Sequence, residues 1–171
     1  MPVPRVPPSM SEATPARLYA TLVGGALVIV GILGFFYSSS FETGRPLGRE
    51  SEEVLGILAV NGWHNLIHIA TGLLGLAAAA HAARTYALAL GLVYLLVSIW
   101  GFLVMDGDLG ALFSTVPVNT EDNLLHLILG LTGLAAGAAT PKPAGATKRK
   151  RPSKKRERPA KRRERADPKS S

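Results

Sequence analysis

In this 171-residue chain, the residues best suited to chemistry are asparagine and histidine side chains that occur in two copies of one pattern. Asn65 and His68 stand three residues apart, and so do Asn123 and His126. Because residues three apart lie on one face of a helix, each Asn–His pair is expected to point in one direction. Neutral imidazoles ligate transition metals and haem iron, and an amide side chain can support such a ligand by hydrogen bonding.

Three uses of these four residues stay open at the level of sequence. The expected one is structural, with the side chains hydrogen-bonding across a helix contact and fixing its register. The second is ligation of a b-type haem or a divalent metal by His68 and His126. A zinc site needs three or four protein ligands, so two imidazoles are too few. His64 is a candidate third ligand, although the second copy has Asp122 at the position of His64. The third is a path for protons or a small solute.

The elements that carry these residues are apolar. Four stretches contain no Asp, Glu, Lys or Arg, namely Leu18–Phe41, Val54–Ala83, Thr85–Met105 and Asn123–Pro141. A bilayer core about 30 Å thick needs roughly 20 apolar helical residues. The chain is therefore predicted to be an all-α four-helix transmembrane bundle, with spans at about residues 18–37, 62–82, 85–105 and 122–140, which together form a domain from about residue 15 to 140.

An internal repeat relates the two halves of this domain. Matching residues are Tyr19 with Tyr86, Gly24 with Gly91, Gly34 with Gly101, and the two Asn-x-x-His patterns, each followed by Gly-x-x-Gly-Leu. A duplication of this kind predicts two parallel-repeat helix hairpins. Small residues let helix backbones approach closely, so helices 2 and 4 are expected to pack through Gly72, Gly75, Gly130, Gly133 and Gly137.

The outer loops also align in this interpretation. Leu55–Leu58 is matched with Leu109–Leu112, and each loop is expected to contain a short interfacial helix. Ser51 is the predicted cap of the first of these helices, and Asn61 and Thr120 are the predicted caps of helices 2 and 4, because short polar side chains favour that position.

The repeated Asn-x-x-His and Gly-x-x-Gly-Leu pattern, following a Leu-Gly loop segment, resembles a family of small bacterial four-helix integral membrane proteins catalogued as a domain of unknown function. The resemblance covers roughly residues 15–140 and leaves out the C-terminal tail. It implies the fold and a location in the bacterial inner membrane. It implies no activity, since none is attached to the family.

Charge is concentrated at the C-terminus. The last 30 residues carry 14 of the 19 Lys/Arg and only three acids, whereas the rest of the chain has a net charge of −4. Basic residues favour the cytoplasmic side, so both termini are predicted to be cytoplasmic and the acidic loops to lie outside. Residues 1–14, rich in Pro, and the tail 141–171 are predicted to be disordered.

The tail is expected to bind anionic lipid headgroups. Its bases are Lys148, Arg149, Lys150, Arg151, Lys154, Lys155, Arg156, Arg158, Lys161, Arg162, Arg163 and Arg165, with further bases on either side. Non-specific nucleic-acid binding and a tail without a dedicated ligand are the alternatives. Homo-oligomerisation is left open.

Several functions have no support in the residues. The chain contains no cysteine, which excludes disulfides, thiolate catalysis and iron–sulfur clusters. No nucleophile–base pair and no glycine-rich phosphate loop is recognisable. We therefore predict a non-enzymatic structural or accessory membrane protein with no catalytic residues, no cofactor and no firmly assigned metal; a haem- or metal-binding protein is the alternative.

Overall fold

The computed structural model describes residues 13–44 and 52–142 as four helices and two short antiparallel hairpins. In chain order the elements are α1 (Pro15–Gly34), β1 (Glu52–Val54), β2 (Leu58–Val60), α2 (Gly62–Ala78), α3 (Ala83–Leu103), β3 (Leu109–Leu112), β4 (Val116–Asn119) and α4 (Thr120–Ala139). The predicted cap Ser51, nearly all of the N-terminal segment and almost the whole basic tail lie outside the described residues.

Local sequence explains where the helices begin. Thr14 caps α1, and Pro15 follows at a position where a missing N–H costs nothing. Asn61 caps α2 as predicted, its side chain accepting a hydrogen bond from the His64 backbone N–H. The predicted cap Thr120 is wrong, because Asn119 caps α4 through a reciprocal pair of bonds with Asp122.

The helices have an inverted distribution of polarity. Large apolar side chains point outward, among them Leu22, Ile29, Leu74, Leu96 and Leu131. The buried helix positions are instead mostly glycine and polar residues, including the two asparagines and three histidines. An exterior of this kind matches lipid, which solvates leucine as well as a protein core does.

Three of the helices, α1, α3 and α4, are long and apolar enough to cross a membrane. Helix α2 has 17 residues and is followed by turn residues at 79–82. It is shorter than the predicted span of about 62–82, although 17 residues still fall at the lower limit for a membrane helix.

Glycines set the closest helix contacts. A Cβ on Gly24 would lie 2.9 Å from the carbonyl oxygen of Gly72, and one on Gly91 would lie 2.9 Å from that of Gly130. The tightest pairs are accordingly α1–α2 and α3–α4. The predicted close packing of α2 on α4 is therefore wrong. The glycines of α2 and α4 lie against α1, against α3 and against two tyrosine side chains, and not against each other.

Those two tyrosines join one half of the bundle to the other. The Tyr19 hydroxyl donates to the Leu129 carbonyl of α4 (2.9 Å), and the Tyr86 hydroxyl donates to the Thr71 carbonyl of α2 (3.0 Å). Tyr19 lies against Gly133 and Tyr86 lies against Gly75. The same contact thus occurs twice, each time between the first helix of one half and the second helix of the other.

The outer loops form hairpins, and the predicted interfacial helices are wrong within the described residues. Each hairpin closes with a tight turn whose two central residues have positive φ, Leu55 and Gly56 in the first and Phe113 and Ser114 in the second. This backbone matches the right-handed twist of paired strands. The predicted match of Leu55–Leu58 with Leu109–Leu112 is off by four residues, because Leu109 begins β3 and lies outside the turn.

A buried histidine cluster as candidate metal centre

Three histidines meet inside the bundle at the hairpin end. His64 and His68 come from α2 and His126 comes from α4, and all three are at least 94% buried. One ring nitrogen from each lies within 4.8 Å of one from each of the others. The ring centroids are 4.4 Å apart for His64 and His68, 6.1 Å for His64 and His126, and 6.4 Å for His68 and His126.

His64 is held by the loop that precedes its helix. Its Nδ1 lies 2.8 Å from the carbonyl oxygen of Ala59 in β2. A carbonyl can only accept, so Nδ1 carries the proton in the neutral ring. The carbonyl of Pro117 in β4 is a second backbone partner of this ring. A backbone carbonyl bound to one imidazole nitrogen is the usual device that prepares the other nitrogen to bind a metal.

The other two histidines are not satisfied. Nδ1 of His68 and Nδ1 of His126 are buried and have no hydrogen-bond partner among the described residues. The Tyr94 ring stacks on His126 with centroids 5.0 Å apart and planes 12° from parallel, which holds the imidazole in place. Buried polar atoms without partners are rare and costly, so such atoms are expected to have a water, a ligand or a bound ion as a partner.

Asp122 occupies the place of His64 in the second half of the chain, and both bind the same residue. The Asp122 Oδ2 accepts a hydrogen bond from the Ala59 N–H (3.0 Å), while His64 donates to the Ala59 carbonyl. Asp122 also accepts from the Asn119 N–H (3.0 Å). Ala59 therefore connects the two halves directly above the cluster, and Asp122 brings a buried carboxyl group close to it.

The two predicted asparagines lie behind the cluster and bind elsewhere. The Asn65 amide donates to the Ser38 carbonyl (2.8 Å), and the Asn123 amide lies 3.5 Å from the Met105 sulfur. Each side chain fits because the facing helix has a glycine there, Gly34 or Gly101, where a Cβ would overlap the amide. They hold each helix against its partner.

A cavity adjoins the cluster between α1 and α4. Its volume is about 300 Å³, and its walls are leucine, valine and alanine side chains. At one end it is lined by His68, Asp122 and His126. The cluster is thus accessible from one side through an apolar space.

Sequence reasoning identified His68 and His126 and considered His64, but did not predict that all three meet. The useful signal was the 58-residue offset between the two copies, which places His64 and Asp122 at the same helical position. The sequence could not indicate the role of Ala59, because Ala59 acts through its backbone N–H and carbonyl and not through its side chain.

Residues 17–139 match the family described as a domain of unknown function, DUF4383. Since the match covers most of the chain, the protein belongs to this family, and the resemblance stated from the sequence is confirmed. No curated protein matches the chain, and no solved structure matches it.

Proposed function

We propose that this member of the DUF4383 family is a membrane protein that binds one divalent transition-metal ion of the zinc class through His64, His68 and His126. The observation that carries the proposal is the convergence of three buried imidazoles with ring nitrogens within 4.8 Å of one another. Three neutral histidines form a donor set that suits zinc and its neighbours.

The geometry is close to what an ion requires. Zinc–imidazole bonds of about 2.0–2.1 Å place ligand nitrogens roughly 3.4 Å apart in a tetrahedral site. Closing the spacing from at most 4.8 Å to this value would bring the ring nitrogens closer by up to about 1.4 Å. His68 and His126 also each have a buried Nδ1 without a partner among the described residues, and a polar atom of this kind costs on the order of 1–3 kcal/mol.

A haem fits less well. A porphyrin would have to lie between the rings of His68 and His126, but the His64 ring lies 4.4 Å from one and 6.1 Å from the other. We therefore favour a single ion over the b-type haem that the sequence also allowed.

An ion at this site would join the two halves of the bundle, because α2 supplies two ligands and α4 supplies the third. The nearby Asp122 carboxylate would offset part of its charge in a medium of low dielectric constant. These features support a structural and non-enzymatic role, in which the metal holds together two hairpins related by duplication.

The membrane arrangement that we propose has four spans. Helix α2 packs along α1 from the Gly34–Asn65 contact to the Gly24–Gly72 contact, so it would cross the bilayer wherever α1 does. The distribution of basic residues favours cytoplasmic termini and external hairpins. With the family resemblance, this arrangement supports an inner membrane location.

Metal analysis tests the site. We expect about one zinc ion per chain in protein purified in detergent from zinc-supplemented cells, and more than about tenfold weaker zinc binding after His68→Ala or His126→Ala. The matched control is His81→Ala, which removes the exposed fourth histidine and should leave zinc binding unchanged. Equal zinc loss in all variants, or none in any, would refute the proposal.

We further propose that the basic tail binds the anionic inner leaflet. The supporting observation is its charge, 14 bases against three acids in residues 142–171. Each base near an anionic surface contributes about 1 kcal/mol. Deleting the residues after Thr140 should abolish the added affinity of the reconstituted protein for phosphatidylserine vesicles over phosphatidylcholine vesicles; binding that survives the deletion contradicts the proposal.

A further inference from the structure

We infer that the cavity between α1 and α4 takes the hydroxyl head and first carbons of a single-chain lipid alcohol that enters sideways from the bilayer. The inference goes beyond the metal site. With an ion on the histidines the hydroxyl would bond to Asp122, and without an ion it would also have the imidazoles of His68 and His126 as partners. It depends on the shape of the cavity, on its polar end and on a difference between the two halves of the chain.

The walls of the cavity select an apolar chain. Val23, Leu27 and Val30 lie on one face of α1, and Leu129 of α4 lines the opposite wall. The volume of about 300 Å³ is at the lower end for small-molecule sites, so it fits a head and the first part of a chain.

The mouth of the cavity opens toward the lipid. Leu22 and Leu125, which both line it, are 62% and 38% exposed, and they lie on the outward faces of α1 and α4. Ala26 also lines the cavity and is exposed, and its side chain is too small to cover an opening. A molecule that reaches this mouth comes from the hydrocarbon region, so its remaining chain can stay among the lipids.

The polar end of the cavity specifies the head. His68, Asp122 and His126 line it, so this end of the cavity brings together two imidazoles and a carboxyl group. One oxygen of Asp122 already accepts two backbone N–H bonds. A hydroxyl can donate to a carboxylate or an imidazole and accept from an imidazole N–H, whereas a phosphate would be repelled by Asp122 and would be costly to desolvate.

The corresponding position in the other half of the bundle holds a larger side chain. The 67-residue offset that relates Tyr19 to Tyr86 also relates Leu27 to Tyr94. Tyr94 is buried and stacks on His126, so a large ring occupies the position where α1 has a leucine. The chain therefore accommodates a tyrosine at this place in one half and keeps an open cavity in the other.

Photolabelling tests the inference. The probe is hexadecan-1-ol with a diazirine within its first carbons, added to the full-length protein in phosphatidylcholine nanodiscs with a chelator present, so that the result is independent of metal binding. We expect labelled peptides from α1 and α4 to exceed those from the lipid-facing sides of α2 and α3 by at least about fivefold. Even labelling of all outward faces would show ordinary boundary lipid and overturn the inference.

Three variants and one further probe sharpen this result. Leu27→Tyr should remove the excess labelling, while the same change at Leu74, exposed on α2, should not. Ala26→Trp at the mouth gives a second test should Leu27→Tyr fail to fold. The methyl ether of the probe lacks the donor and should label at least severalfold less; equal labelling would overturn the assignment of the head group.

Discussion

At the scale of single residues, the histidine cluster depends on positions where only a hydrogen atom fits. Gly34 and Gly101 each face a fully buried asparagine, and a Cβ at either position would overlap its amide. The two asparagines lie one turn before His68 and His126 on their helices. Displacing an asparagine would therefore move the histidine that follows it.

We expect Gly101→Ala to destabilise the protein by roughly 1–3 kcal/mol, because overpacking forces backbone shifts. The thermal unfolding midpoint in detergent should fall, and zinc affinity should fall with it. Gly25→Ala is the matched control, since nothing lies within 4 Å of a Cβ at that position. A Gly101→Ala protein as stable as the control would contradict the packing that we describe.

The sequence predicted the residue types of the site better than their contacts. The repeated Asn-x-x-His pattern pointed to the four polar residues, and helical spacing placed each pair on one face. It could not show that His64 completes the cluster, because the second copy has Asp122 instead of a histidine at that position. Nor could it show that the asparagines bind backbone and sulfur outside the cluster, because those contacts depend on helix crossings.

At the scale of elements, helices were predicted well and loops were not. Charge-free apolar runs identify helices α1 to α4. Thr14, Asn61 and Asn119 cap the starts of α1, α2 and α4, and of these three caps only Asn61 was predicted. The loops form hairpins closed by turns with positive φ, and two of the four central turn residues are Phe113 and Ser114. Neither favours that conformation, so local propensity gave no signal and the tertiary context decides.

The paired tyrosines provide a prediction at this scale. Tyr19→Phe and Tyr86→Phe each remove one hydrogen bond between the two halves of the bundle, and each should cost about 1 kcal/mol of stability. The effects should be similar and roughly additive, because the two bonds lie at equivalent places. Tyr37→Phe, in the turn after α1, is the control and should change little. A large effect from only one of the pair would argue against equivalent roles.

At the scale of the whole molecule, lipid explains why polar residues lie inside and leucines outside. With hydrocarbon around it, the bundle gains little from burying leucine, so glycine contacts and polar bonds hold it together. The composition of the spans was sufficient to predict this environment. Which helix each glycine of α2 and α4 contacts was not predictable, since a glycine suits a close contact with any helix.

The absence of native cysteine allows the topology to be measured directly. Single cysteines at Gly56 and Ser114, in the two hairpin turns, should react with a membrane-impermeant maleimide added to intact cells. Cysteines at Ala80 and Lys169 should react only after the membrane is permeabilised. Reaction of the Ala80 position in intact cells would contradict the crossing of α2, and reaction of Lys169 would contradict a cytoplasmic tail.

The most direct test of the metal centre is zinc K-edge X-ray absorption on the purified full-length protein. We predict one zinc ion per chain with three imidazole nitrogens at about 2.0–2.1 Å, and loss of that imidazole signal in His126→Ala but not in His81→Ala. Zinc bound with fewer than three imidazoles, or no zinc retained by the wild type, would contradict the account.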